Sequence, residues 1–305
     1  MVQVHEMQVF LAAAETENFS EAARKLRLSQ PAVSFQIHSL EQKLNVLLFE
    51  RNGKRVALTE AGRELLPMAY ELANLADNIA TTFTVRSGIL AGNLQIGCGT
   101  NLAKYLLPHF IGAFHTHYPR VQVTCEGMSP QAVEQKLLAR EIHLGLLSLP
   151  IKSKELQGHF FFSDNVILIA AAIHPWSARE AIQPSECRDT DWIVSKDDAV
   201  TNRTQYGLTR DDVRVAMEIA DDEIILAAVE TNQGVAFVSR LVAKRSLESG
   251  RVKIIHVAGL TPICREVSIV QHRARQSILA QYFLEFIAST AGQSLIAQHL
   301  SAPQE

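Results

Sequence analysis

Three short helices and a hairpin, one long helix, then alternating strands and helices predict the architecture. It is an N-terminal all-α winged helix-turn-helix, a long linker helix and a two-lobed α/β domain. Three observations carry this reading. Residues 4–58 hold helical apolar stripes followed by an Asn52-Gly53 hairpin signal. Residues 59–87 keep an apolar repeat at coiled-coil spacing. From Gly92 onward the period switches between strand and helix.

In the first segment, Met7, Phe10, Leu11 and Ala14 form a helical stripe. Ser20 is the expected cap of a second helix, whose small Ala22 and Ala23 let another helix approach closely. The turn "RLS" leads to Ser29, the expected N-cap of a third helix, with Pro31 in its first turn, where its missing N–H costs nothing. At 100° per residue, Val33, Ile37, Leu40 and Leu44 make its buried face. Pro31, Ser34, Phe35 and His38 lie nearly opposite, with Gln30 beside them at the amino end. Glu41, Gln42 and Lys43 read as ordinary solvated residues. The hairpin tip carries Arg51, Asn52, Lys54 and Arg55.

Thr59 is expected to cap a helix reaching about Ser87, roughly 43 Å long. Its repeat of Leu65, Ala69, Leu72, Ala76, Ile79 and Phe83 suits pairing with a second copy, and Pro67 predicts a kink or restart. Beyond it, "NLQIGC", "VQVTCE" and "HLGLLSL" read as strands separated by the helices "LAKYLLPHFIGAFHTHY" and "PQAVEQKLLARE". This order predicts a parallel, doubly wound sheet. A second set, "HFFFSDNVILIAAA", "WIVS", "RVAMEIA" and "GVAFVSR", with the helix "DEIILAAVETN", forms another lobe. "REVSIVQHR" and a helical tail over residues 277–299 rejoin the first lobe, leaving a cleft between the two.

Charge narrows the function. The chain of 305 residues is 47% hydrophobic and carries a formal net charge of -3, yet residues 24–63 hold eight Lys and Arg against three Glu. A basic island in an acidic chain points to one domain that meets a polyanion. On the third helix, Gln30 can pair with adenine, Ser34 can donate or accept, and Pro31 and Phe35 can touch a thymine methyl. His38 suits phosphate, and Arg51, Asn52, Lys54 and Arg55 suit the backbone or minor groove. These residues favour double-stranded DNA over a protein-interaction face.

Three expected helix starts follow strands: Thr100-Asn101, Ser129 and Thr201-Asn202. Helix N-termini present free N–H groups, and open α/β sheets bind ligands beyond strand carboxyl ends. If the starts converge they make a site for a small organic or inorganic anion, which Arg203 would neutralise. Each is also readable as a plain cap.

No catalytic signature appears: "GCG" at Gly97–Gly99 lacks a third glycine, and His115 and His117 read as surface rather than metal ligands. No cofactor and no metal are expected. Neither a secretory signal nor an apolar run long enough to span a bilayer is present, so a cytoplasmic protein is expected. Cys98, Cys125, Cys187 and Cys264 show no C-x-x-C spacing and read as reduced thiols. Cys98 and Cys125 each end a strand, so a redox role remains open.

The elements "FSEAARKL", "SQPAVS", "LEQKL", "LFER" and "LTEAG", in this order and spacing, resemble the N-terminal domain of LysR-type transcriptional regulators. The rest of the chain is similar in layout to that family's effector domain. The resemblance implies a winged helix-turn-helix over 1–58 (helix-turn-helix about 19–38) and a dimerising linker helix over 59–87. It also implies a periplasmic-binding-protein-like effector domain over 88–305, with lobe I about 92–161 and 266–300 and lobe II about 162–265. It implies a homotetramer on an interrupted palindrome, a small inducer in the cleft that changes DNA bending, and RNA polymerase as a promoter partner. In such proteins the residues at Gln30, Pro31, Ser34 and Phe35 face the groove, and family effector positions fall on Thr100, Ser129 and Thr201. The chain departs from the common pattern at Phe35, where many members carry a basic residue, and "SKDDAVTNR" is not the usual Gly-rich loop. Two alternatives stay open: a redox-responsive regulator using Cys98 and Cys125, and a solute-binding or enzymatic α/β protein with an accessory helix-turn-helix.

Overall fold

A computed structural model describes residues 1–52, 55–148, 151–196, 213–259, 263–274 and 276–300, with only the backbone described at 51, 52 and 300. The N-terminal segment is α1 (Val4–Thr16), α2 (Phe19–Leu26), α3 (Gln30–Leu44) and an antiparallel hairpin of β1 (Phe49–Asn52) and β2 (Arg55–Leu58). Their core is Met7, Val9, Phe10, Ala22, Ala23, Val33, Ile37, Leu40 and Phe49. The small alanines of α2 are buried between helices, as their size requires.

Several local expectations are corrected. Asn18, not Ser20, caps α2, its side chain accepting from the N–H groups of Ser20 and Glu21. Leu44 is not part of the buried face of α3; it is the last residue of the helix and is 37% exposed. Asn52 is a strand residue paired with Arg55 rather than a turn residue. Glu41 and Lys43 are structural: Glu41 Oε1 accepts from the N–H groups of Leu48 and Phe49, and Lys43 pairs with buried Glu6.

Helix α4 (Glu60–Arg86) is capped by Thr59 and runs unbroken through Pro67, with neither restart nor second helix. The proline removes a single N–H, and Leu65, Leu66 and Ala69 around it pack into the N-terminal core. Gly62 permits its close start: a Cβ there would lie 2.3 Å from the Leu48 carbonyl oxygen and 2.8 Å from Leu58 Cδ2. The expected seam divides in two. Leu65, Ala69 and Leu72 pack into the N-terminal core, whereas Ile79 and Phe83 are exposed, together with Met68 and Leu75, which lie outside the expected seam.

The C-terminal domain has β3 (Gly92–Cys98), α5 (Thr100–Tyr105), α6 (Leu107–His117), β4 (Val121–Gly127), α7 (Pro130–Leu138) and β5 (Leu144–Ser148) in lobe I. The single helix expected over "LAKYLLPHFIGAFHTHY" breaks at Leu106, because Pro108 lacks the N–H that would continue α5. β6 (Leu156–Ala171) crosses into lobe II, which adds β7 (Asp191–Ser195), β8 (Arg214–Ile219), α8 (Asp222–Glu230), β9 (Ala236–Ser239), α9 (Arg240–Glu248) and β10 (Val252–Ile254). β11 (Ile263–His272) returns to lobe I, followed by α10 (Ile278–Ala288) and α11 (Thr290–Leu300).

The parallel pairing expected for β3, β4 and β5 is present, within a larger mixed sheet. β3 pairs in parallel with β4 and β5, whereas β11 is antiparallel to β5 and β6, and β6 is antiparallel to β9 and β10. The cause is topological: the chain crosses between lobes once in each direction, and the two crossing strands pair from Ile263↔Val166 to His272↔Leu156. Their register shifts between Val267 and Ser268, where lobe I meets lobe II.

Two asparagines one turn apart dock α4 onto lobe I. Asn74 Nδ2 donates to the Arg140 carbonyl at 3.0 Å, and its Oδ1 lies 3.3 Å from His143 Nε2. Because His143 Nδ1 accepts from the Gln95 N–H, the ring proton sits on Nε2 and points at Asn74. Asn78 Oδ1 accepts from the Ile278 N–H at 3.1 Å, filling the cap that Ser277 leaves open on α10.

Two outcomes follow. Gly62→Ala is expected to cost about 1–3 kcal/mol, read as a lower urea midpoint at unchanged slope. Burial holds the His143 imidazole down at about 4. Below the unfolded value of about 6.5 the unfolded chain binds a proton that the folded chain refuses. Stability therefore falls as pH drops from about 6.5 towards about 4, by up to about 1.4 kcal/mol per pH unit. In His143→Gln that component is absent, which paired urea titrations at pH 7 and pH 5 measure.

Candidate nucleic-acid interface and effector cleft

Helix α3 begins at Ser29, whose Oγ accepts from the Ala32 N–H at 3.3 Å, with Pro31 in the first turn. Val33, Ile37 and Leu40 anchor it in the core. A buried carboxylate locks its other end. Glu6 takes the Gln3 N–H, the Ser39 hydroxyl and the Lys43 ammonium. Burial pushes the Glu6 carboxyl up, but these three donors more than offset that and hold it below its ordinary value.

With one face fixed, the other is open. Gln30, Pro31, Phe35 and His38 are exposed and Ser34 is half-buried. Phe35 is 70% exposed, far more than a core aromatic would be. His38 Nε2 meets Gln42 Nε2 at 3.0 Å, so its ring is steered along the helix. Before α3, Arg27 adopts φ 56°, closing the tight turn from α2. The hairpin leans on this unit through Phe49, whose ring lies 5.4 Å from Phe10 and 5.5 Å from Phe19, and through the Val56 N–H to the Glu17 carbonyl. Arg55 is exposed on β2. Arg51 and Asn52 lie on β1, but their side chains, and the whole of Lys54, fall outside the described residues.

In the C-terminal domain the structure brings together two of the expected helix starts. Thr100 is the first residue of α5, with Gly99 as the cap; Ser129 caps α7, its Oγ accepting from the Ala132 N–H. Both follow the carboxyl ends of adjacent parallel strands, and the Met128 N–H donates to the Cys98 carbonyl at 2.8 Å. A Cβ on Gly127 would come within 3.3 Å of Thr100 Cα, so glycine lets the two starts close up. Thr201, Asn202 and Arg203 lie outside the described residues.

Asn101 is already engaged. Its Nδ2 donates to Asp222 on α8 of lobe II. Next to it, Tyr105 Oη donates to Glu223 Oε1 at 2.6 Å, and Lys104 Nζ lies 3.2 Å from Glu223 Oε2. The Tyr105 hydroxyl is pushed above its ordinary value by burial and then by Glu223. Asp221, Asp222 and Glu223 gather at the first turn of α8, where the helix dipole favours negative charge. Sequence reasoning found Asn101 but missed Lys104, Tyr105, Asp222 and Glu223, which pair only because the two lobes face each other. It also missed Asn74 and Asn78; asparagine at two positions inside a helix, where its propensity is poor, was the available signal.

Cys98 and Cys125 are neighbours, with Sγ atoms 3.8 Å apart. Among the described residues, no cluster of three or more His, Cys, Asp or Glu is placed to hold a metal, and no helix is long and apolar enough to cross a membrane.

Comparison with known proteins agrees with this layout. Residues 4–63 match the model of bacterial regulatory helix-turn-helix proteins of the lysR family, and residues 87–292 match the LysR substrate binding domain. The chain is 26% identical to the RuBisCO operon transcriptional regulator of Allochromatium vinosum, over 96% of this chain and 97% of that protein. It is 30% identical to the probable RuBisCO transcriptional regulator of Porphyra purpurea, over 87% and 86%. It is 26% identical to the transcriptional activator CmpR of Synechocystis, over 97% and 98%. A full-length OxyR variant from Pseudomonas aeruginosa shares the fold with TM-score 0.76 at 22% identity, covering 100% of this chain and 99% of that one. CbnR in complex with its target DNA shares it with TM-score 0.63 at 21% identity, covering 94% and 99%.

Proposed function

The chain belongs to the LysR-type transcriptional regulators, and on that footing we propose how its own residues divide the work. Helix α3 enters the major groove with Gln30 and Ser34 at base edges and Pro31 and Phe35 against thymine methyl groups. His38 and Arg55 approach phosphates, joined by Arg51, Asn52 and Lys54 of the wing. The observation that carries this reading is the division of α3 itself: a packed face of Val33, Ile37 and Leu40, and an open one on which an aromatic is 70% exposed.

The exposed stripe of Met68, Leu75, Ile79 and Phe83 on α4 is the dimerisation surface, and dimers pair into a homotetramer. A small anion is the effector. It binds between the lobes at the starts of α5 and α7, near Thr100, Asn101 and Ser129, with Thr201, Asn202 and Arg203 contributing from lobe II. Asn101, Lys104 and Tyr105 are already paired with Asp222 and Glu223, so the anion draws on the N–H groups at the starts of α5 and α7. The regulator acts through promoter DNA and RNA polymerase, and catalyses no reaction.

Two measurements test this. Operator duplexes are selected from a random pool by the wild-type protein, and Gln30→Ala and Ser34→Ala are titrated against them. Each is expected to lose about 1–3 kcal/mol of specific affinity, with non-specific binding retained; unchanged specific affinity refutes the groove assignment. Ile79→Asp with Phe83→Asp is expected to shift the native mass spectrum to monomer at unchanged helical content. A persisting dimer places the interface elsewhere.

A further inference from the structure

We propose that Cys98 and Cys125 are a modification site: a hydroperoxide converts them to a disulfide, and this displaces the helix starts that wall the cleft. The two residues lie on neighbouring parallel strands, Cys125 opposite Ile96 and Cys98 opposite Gly127, so their side chains share one face of the sheet. Their sulfurs are 3.8 Å apart, and a disulfide needs about 2.05 Å, so a movement of under about 2 Å closes the bond. Access is asymmetric in the useful sense. Cys98 is fully buried, while Cys125 is half-buried on β4, which among the described residues pairs with β3 alone and so forms an edge of the sheet.

The thiols also differ in character. Either sulfur can donate to the other; with the more buried Cys98 as donor, thiolate is favoured on the more accessible Cys125, which is held below the ordinary thiol value. That same bond, together with burial, holds Cys98 above it. Cys125 is therefore the attacking group and Cys98 the resolving one. Its partners exclude the other two cysteines from the role: Cys187 is buried in the lobe II core, and the exposed Cys264 donates its thiol to Asn165.

The chemistry balances. Cys125 thiolate attacks one peroxide oxygen; an S–O bond forms, the O–O bond breaks, and the leaving oxygen takes a proton as water or alcohol. The Cys98 sulfur then attacks the Cys125 sulfenic acid. The S–S bond forms, the S–O bond breaks, and hydroxide leaves with the Cys98 proton as water. Two thiols are oxidised and one peroxide bond is reduced.

The consequence for the cleft follows from backbone bonding. Cys98 precedes Gly99, the cap of α5, and its carbonyl takes the N–H of Met128, which precedes Ser129, the cap of α7. Drawing Cys98 towards Cys125 moves the bonded floor beneath both starts.

The test uses the full-length protein and hydrogen peroxide, followed by alkylation, intact mass and peptide mapping. The expected result is a mass lower by two hydrogen atoms, with the Cys98 and Cys125 peptides linked, reversed by dithiothreitol. In Cys98→Ala, Cys125 stops at the sulfenic acid and is trapped by dimedone; in Cys125→Ala, Cys98 stays reduced. Over-oxidation of Cys125 without linkage, or linkage through Cys264 instead, overturns the proposal. Hydrogen exchange at 99–105 and 128–138 is expected to differ between the oxidised and reduced protein. Equal exchange there refutes the coupling to the cleft even if the disulfide forms.

Discussion

Helix α4 has more surface to satisfy than any one neighbour can cover, and the architecture follows from how that surface is shared. Leu65, Ala69 and Leu72 complete the N-terminal core, which the three short helices alone leave open. Asn74 and Asn78 then bond to lobe I, one through Arg140 and His143 and the other by capping α10. What remains exposed is Met68, Leu75, Ile79 and Phe83, an apolar stripe too long for a solvated helix face. The helix thus joins the N-terminal unit to the C-terminal domain and keeps an exposed apolar stripe on a third side.

The same economy governs α3. A helix that must present hydrogen-bonding and apolar groups outward cannot use that side for stability, so its inner side carries the whole cost. Val33, Ile37 and Leu40 supply apolar burial, and Glu6 adds a buried carboxylate that ties Gln3, Ser39 and Lys43 together. A buried charge persists only where its donors outweigh desolvation, and here they do. The orientation of the outward face is therefore set by the core beneath it.

In the C-terminal domain the two crossing strands, β6 and β11, make the lobes one sheet while the bulge at Val267 and Ser268 divides them. Across the divide, α5 and α8 meet through Asn101–Asp222, Tyr105–Glu223 and Lys104–Glu223. Helix α7 is capped by Ser129 and ends at Leu138, two residues before Arg140, whose carbonyl holds Asn74 of α4. One helix of nine residues thus separates the candidate ligand wall from the linker helix.

The amino-acid order by itself determined what depends on local chemistry. Ser29 and Thr59 as caps, the helical stripe of α3, the hairpin and the strand–helix alternation are all legible, because each is set by residues a few positions apart. Ser20 and the long helix through Pro108 misled because local preference there is weak or is overridden by packing. Tertiary structure alone decided the rest: the mixed sheet, the division of the α4 seam, the docking of Asn74 and Asn78, and the cross-lobe pairs. Asn74 lies 66 residues from Arg140 and Asn101 lies 121 from Asp222. Contacts over such separations are set by where the chain reverses and crosses, and no short-range pattern records that.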